Sequence, residues 1–457
     1  MYFCDDSSNK YYPFNMIFHK QLDRYFPNYK IFLLLSFLLI LNNLTAQQIE
    51  ITAGKGKVYD QYVGIDYLVV MYGIDAATEI SVVLPATSLT AKWCRYSDNF
   101  EISNQNFINP DDHTGYVLKI EGTLNGQVYH KELSIWVIDY KLYEPVLQAI
   151  EFPLQPIPDC NHLSLLVDGA IPVIYYEEPD QQRQYPIHRE FNLQYESLEF
   201  EDGEWRSLPI DIPVTMEDNI ILVNDPPLKD TEFTLKGDQF AEDLGLEPYE
   251  VQSRLYRAIR VAVKIKTETE VRTEKNEGDR PDNITILSGS APLDIKFIAL
   301  SNEPVADYFR WEISADGAAP FIVRTGLSHN YSFKEAGTFT VKLTASNNYC
   351  SDMDSVVVKV SESAIYAPNV FTPNGDGIND EFRVAYKSII EFNCWVYNRW
   401  GQEVYHWTDP QKGWDGTVKG KPASEGAYFY VIRAKGSDGV EYKLKGDINL
   451  LRGKENQ

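Results

Sequence analysis

The chain has 457 residues, too many for one hydrophobic core, because such cores stop growing near about 250–300 residues; three or four domains are expected. Aromatic residues make up 13% and tyrosines number 30, a bias toward pleated, half-buried surfaces that sets an all-β fold as the first expectation. The formal charge is −24 and no Lys/Arg-rich face is visible to displace counterions from phosphates, which argues against nucleic acid as a partner.

The chain opens with an uncharged apolar run at 31–41, preceded by Lys30 and followed by a short polar stretch ending at Ala46. A membrane-spanning helix needs about 20 apolar residues, whereas a secretory leader needs roughly 7–15, so residues 1–46 read as a signal peptide. Met16 is an alternative start, and no cysteine follows the run to carry a lipid. Cys94, Cys160, Cys350 and Cys394 remain, too widely spaced for a zinc or redox site. In an exported chain they are free to form disulfides, with three pairings open, or to stay as buried thiols.

Residues 47–141 alternate apolar and polar positions in short bursts, with Asn125-Gly126 supplying the positive φ angles of a tight hairpin turn between two of them. A first sandwich-like domain is expected there. Residues 142–280 continue the pattern at 191–200, with a turn at 201–203, and again at 256–265; only 237–245 looks helical. The polar run at 266–281 reads as a linker or an exposed hairpin end.

Residues 281–361 hold Tyr308-Phe309-Arg310-Trp311, Tyr331-Ser332-Phe333 and a long alternating strand after Gly337, with a tryptophan placed to fill a sandwich core. This segment resembles a PKD domain, an immunoglobulin-like sandwich, and the resemblance implies a spacer. It departs from the family pattern after Trp311, where only Asp316-Gly317 survives of a tighter turn.

The last region, 364–457, is the most distinctive. Asn369, Phe371 and Pro373 lead into Asn374-Gly375-Asp376-Gly377, followed by Asn379 and Asp380. Further on come Asn398-Arg399-Trp400-Gly401, then Trp414-Asp415-Gly416, then Gly426 and Tyr428. Locally these are turn residues that tolerate left-handed backbone, set between alternating runs, and the runs at 442–444 and 447–451 read as closing strands. Taken together and in this order, the blocks closely resemble the gliding motility-associated C-terminal domain, the type B sorting domain of type IX secretion. The fold class is then all-β, with tandem immunoglobulin-like β-sandwich domains, PKD plus a C-terminal sorting sandwich. The resemblance implies a cell-surface or secreted protein of the Bacteroidota type. Its export would run through Sec and then the type IX outer-membrane translocon, with an SprF/PorP-like outer-membrane protein as partner.

Chemistry is sparse. Asn374, Asp376, Asp380 and Glu381 could offer oxygens to calcium, but their spacing misses the EF-hand pattern and turn-forming residues explain the same letters. The histidines are scattered without a paired motif, and no phosphate loop, dinucleotide fingerprint or nucleophile elbow occurs. The acid pairs Glu177-Glu178 and Asp111-Asp112 read as solvated turns. No cofactor, metal or catalytic residue is expected. The function expected is a non-enzymatic accessory or interaction component of the secretion or gliding apparatus. The alternative is an adhesin with a glycan or host-surface ligand, for which Tyr175, Tyr176 and Tyr185 would be an aromatic platform.

Overall fold

The computed structural model of the chain describes residues 48–60, 62–153, 158–180 and 183–452. The expected leader and its cut after Ala46 lie outside the described residues. Strands dominate, and the only α-helix among the described residues is Gln239–Asp243. No helix among them is long and apolar enough to cross a membrane. The chain forms two compact units. One takes the described residues through Val146 together with Ala170–Glu190 and Gly237–Tyr249; the other takes Leu147–Gly169, Phe191–Lys236 and the described residues from Glu250 onward.

In the first unit a six-stranded sheet runs in the order Gly56–Tyr59, Tyr67–Met71, Gln127–Asp139, Thr114–Leu124, Leu89–Arg95, Glu101–Ser103, and a three-stranded sheet joins Gln48–Ala53, Glu79–Val83 and Phe107–Ile108. The strand Tyr67–Met71 is an unbroken apolar run, the signature of a strand covered on both faces. Val69 and Met71 pack with Trp93, Tyr116 and Leu118 in one core, while Leu68 and Val70 pack with Trp136, Tyr140, Ile174, Tyr176 and Phe240 in another. The two later stretches of the chain cover that second face. Asp238 begins the short helix by accepting the N–H groups of Phe240 and Ala241 at 3.1 and 3.3 Å, and its other partners are the Tyr140 hydroxyl and the Arg189 guanidinium. The Asn125-Gly126 turn is as expected: φ is 51° and 81°, and Leu124 pairs with Gln127 across it.

In the second unit, Glu190–Glu201 and Glu204–Thr215 form the expected hairpin around Asp202 and Gly203, extended by Thr234–Gly237 and Tyr249–Gln252. The alternation at 256–265 becomes a strand only at Val263–Thr269, and that strand pairs with Leu293–Ser301, from Val263 opposite Ser301 to Thr269 opposite Ile295. The polar run at 266–281 is therefore not a free linker. It starts as a strand, and its charged centre is packed because Arg272 and Ser290 hydroxyl both donate to Glu277 at 2.7 Å, which lets a carboxylate be buried. Burial still pushes the Glu277 carboxyl up, against the lowering pull of Ser290 and Arg272.

Val263–Thr269, Leu293–Ser301 and Ser328–Phe333 form one layer of a sandwich; Ser288–Gly289, Ser351–Val360, Gly337–Ser346, Tyr308–Ala315 and Ile322–Thr325 form the other. Trp311, Phe297, Phe333 and Leu343 fill the space between them. Cys160 and Cys350, 190 residues apart, are joined by a disulfide, whereas Cys94 and Cys394 are free and buried.

The C-terminal sandwich is built on a five-stranded sheet in the order Val370–Phe371, Glu441–Leu450, Gly426–Gly436, Ile389–Tyr397, Glu403–Trp407. The two closing strands expected at its end are one continuous strand. Gly446 within it is there for space: a Cβ on it would lie 2.7 Å from the Tyr430 hydroxyl oxygen.

Candidate functional site

Register gathers the distinctive blocks of the C-terminal sandwich at one end. Phe371 lies opposite Leu450 on a parallel neighbour, Gly426 lies opposite the same Leu450, and Tyr397 lies opposite Phe429. The chain therefore leaves the sheet after Phe371, Tyr397 and Leu450 and enters it at Gly426, all at that end. The third block, at Trp414, is tied in by backbone bonds of 2.8 and 3.0 Å between Phe382 and Trp414.

The loop after Phe371 is folded around one carboxylate. Asp380 accepts the N–H groups of Asn374 and Gly375 on Oδ1, at 3.0 and 2.7 Å, and of Gly377 on Oδ2, at 2.8 Å. Those donors, Gly375 first, hold the Asp380 carboxyl below the usual range. Asn374 and Asp376 bond to one another and Asp376 caps the Ile378 N–H at 2.8 Å. Gly375, Gly377 and Asn379 stand at φ 81°, 84° and 53°, and a Cβ on either glycine would meet nothing, so backbone angle rather than crowding calls for glycine there. Of the oxygens that suggested calcium, those of Asp380 face backbone N–H groups, one Asp376 oxygen accepts the Asn374 amide, and Glu381 accepts the Arg383 guanidinium. Among the described residues no cluster of His, Cys, Asp and Glu is arranged to hold a metal.

The second block is a hairpin loop. Asn398 Oδ1 accepts the N–H groups of Trp400 and Gln402, each at 3.0 Å, and Gly401 takes φ 81°. This fixes Trp400 outward, 72% exposed, with the Arg399 guanidinium 4.3 Å from its ring centre. The third block turns inward: Trp414 is fully buried, donates to the Thr417 carbonyl at 2.8 Å, and packs against Phe371 and Tyr428 at 5.4 and 4.8 Å. Asp415 accepts the Thr417 N–H at 2.9 Å, Tyr428 donates to the Ser424 carbonyl at 2.9 Å, and the Asn369 carbonyl accepts from Asn449 at 2.9 Å. Most of the sequence-derived residues thus build the end of the sandwich, and Arg399 with Trp400 projects from it.

One residue at this end gave no signal in the sequence. Arg452 donates to the carbonyls of Pro373, Gly416 and Ala423 at 3.3, 3.0 and 3.5 Å, and its own N–H bonds Glu425 at 2.7 Å. It staples three loops at once. An isolated arginine after the last strand carries no pattern of its own, and its partners are backbone carbonyls far away in the chain.

The remaining candidates do not converge on a site. Tyr176 is 4% exposed, stacked on Tyr185 at 5.2 Å and edge-on to Tyr62 at 5.5 Å, so it is core rather than platform; Tyr175 alone is exposed. Burial pushes the Tyr62 hydroxyl up to about 12. Glu178 accepts the Tyr185 hydroxyl at 2.8 Å, Glu177 accepts from Gln184, and Asp112 accepts the Asp139 N–H at 2.6 Å.

Residues 365–450 match the family model of the CHU_C Type IX secretion signal domain, and residues 155–253 match that of the Fn3_FA fibronectin type III domain. No curated protein matches the chain. Solved structures resemble it distantly. A tetra-tandem repeat in the extending region of a large adhesion protein is 10% identical, covering 84% of this chain and 98% of that one, at TM-score 0.19. Sidekick-1 immunoglobulin domains 1-5 are 11% identical, covering 89% and 81%, at TM-score 0.25. At such TM-scores the likeness carries no argument. The sheets and the fibronectin match make the chain all-β with immunoglobulin-like sandwiches, and its C-terminal sandwich is a type IX secretion signal.

Proposed function

We propose that this chain is a non-enzymatic surface protein that crosses the outer membrane on residues 364–457 and serves as an accessory or interaction component of the secretion or gliding apparatus. In this reading Sec delivers it to the periplasm, the type IX translocon takes it outward, and an SprF/PorP-like outer-membrane protein receives it. Residues 47–141 and 142–280 are the displayed domains, and 281–361 is a PKD-type spacer.

The supporting observation is the convergence of four separated blocks on one stapled end of the sandwich, with Arg399 and Trp400 left projecting from it. An exposed tryptophan under a guanidinium is the composition of an interface anchor, since Trp and Arg dominate binding hot spots. The disulfide between Cys160 and Cys350 agrees with a chain that matures in an oxidising compartment.

The test is a monomeric fluorescent reporter carrying a Sec leader and residues 362–457, expressed in a host with type IX secretion. The reporter should reach the surface, and the Arg399→Ala, Trp400→Ala double variant should stay in the periplasm. A reporter that is never exported, or a double variant exported as well as the parent, contradicts the reading.

A further inference from the structure

The immunoglobulin-like sandwich assigned as a spacer carries a cleft of about 730 Å³, lined among others by Glu303, Asp307, Tyr308, Arg310, Thr344 and Ser346. Its volume falls within the roughly 300–1,000 Å³ of small-ligand sites. Register explains why these side chains share one wall: Tyr308 lies opposite Ser346, and Arg310 lies opposite both Thr344 and Thr325, so all five point to the outer face of the same sheet. The opposite wall is the loop at Gly326 and Leu327, held in place where Trp311 donates its indole N–H to the Gly326 carbonyl at 2.9 Å. Gly326 takes φ 115°, and a Cβ there would meet nothing within 4 Å, so the cleft is open above it.

We infer that this cleft binds a neutral saccharide. Tyr308 is 62% exposed at its rim, an aromatic ring with no packing partner in the sandwich core. The hydroxyls of Thr325, Thr344 and Ser346 both donate and accept, and the carboxylates of Glu303 and Asp307 accept. Among the described residues none of these side-chain groups has a bonding partner, so they are available to a ligand. Arg310 is already paired with Glu312 at 2.7 Å, which leaves the lining with surplus negative charge and opposes phosphate, sulfate or uronate groups. A ring for C–H contacts, hydroxyls of both polarities and unpaired carboxylate acceptors match a polyhydroxylated, uncharged ligand. The spacer would then also be a contact module.

The inference does not depend on the export route and can be measured on purified protein. The full secreted chain, with its disulfide intact, is run through native gels containing laminarin, dextran, xylan or galactomannan, with anionic alginate as the contrast. At least one neutral polymer should retard it and alginate should not. Tyr308→Ala and Asp307→Asn should each weaken retardation about tenfold, as loss of a binding hot spot does. Both residues are exposed, so circular dichroism should show the fold unchanged. Absence of retardation by every neutral polymer, or retardation that survives both substitutions, overturns the inference.

Discussion

The guanidinium of Arg452 donates to the carbonyl of Gly416 at 3.0 Å, and Gly416 sits at φ 74° in a tight corner: a Cβ would lie 3.1 Å from both Pro373 and Leu450. An arginine just past the last strand thus fixes a corner made well before it in the chain. Replacing Arg452 with alanine removes hydrogen bonds to three carbonyls and should cost about 2 kcal/mol locally. Hydrogen exchange on the secreted chain should show faster exchange around 373–380 and 416–423, with the central strands unchanged. Gly416→Ala should do the same through strain.

Asp380 gives the loop a pH dependence. Its carboxyl is held below the usual range by the N–H donors of Gly375, Gly377 and Asn374, so the folded loop favours the ionised form. The contribution is fully present above the ordinary aspartate value of about 4 and is lost as pH falls through the lower folded value. Exchange protection at Gly375 and Gly377 should fall as the pH drops below about 4. In Asp380→Asn it should be low throughout and lack that pH step.

The two tryptophans of the distinctive blocks should behave oppositely. Trp414→Ala opens a cavity beside Phe371 and Tyr428 and should destabilise the C-terminal sandwich by about 3–5 kcal/mol. Trp400→Ala removes an exposed ring and should leave thermal unfolding unchanged while reducing export in a pulse-chase of the culture medium and periplasm.

The disulfide closes a loop of 190 residues, for which the chain-entropy limit on stabilisation is about 5 kcal/mol. Cys160→Ser should lower the denaturant midpoint of the second unit. Alkylation of the native protein should label neither Cys94 nor Cys394, since both are buried, and denaturation without reductant should expose both thiols while Cys160 and Cys350 stay unlabelled.

How much of this was legible in the sequence follows from the range of the interactions. The turns at Asn125-Gly126 and Asp202-Gly203 and the glycines of the C-terminal loops could be read because a positive φ angle leaves its mark on the residue itself. Trp311 could be placed in a core from its position among alternating strands, whereas Trp414, read as part of a turn, shows its burial only in the structure. Tyr176 could not be told from a surface aromatic, because its cover comes from Tyr185 and Tyr62 and from a core shared with a later helix. The partner of Val263–Thr269, Leu293–Ser301, is hidden for the same reason: alternation reveals a strand and not its neighbour. Arg452 left no trace, because backbone carbonyls accept a hydrogen bond whatever residue carries them.

The most direct measurement is export of a chain ending at Ser363 in a host that possesses type IX secretion. The shortened chain should accumulate folded in the periplasm, with its Cys160–Cys350 bridge formed, while the full-length chain appears outside. Equal amounts of both outside the cell would contradict the assignment of the C-terminal sandwich as the signal that carries this protein across the outer membrane.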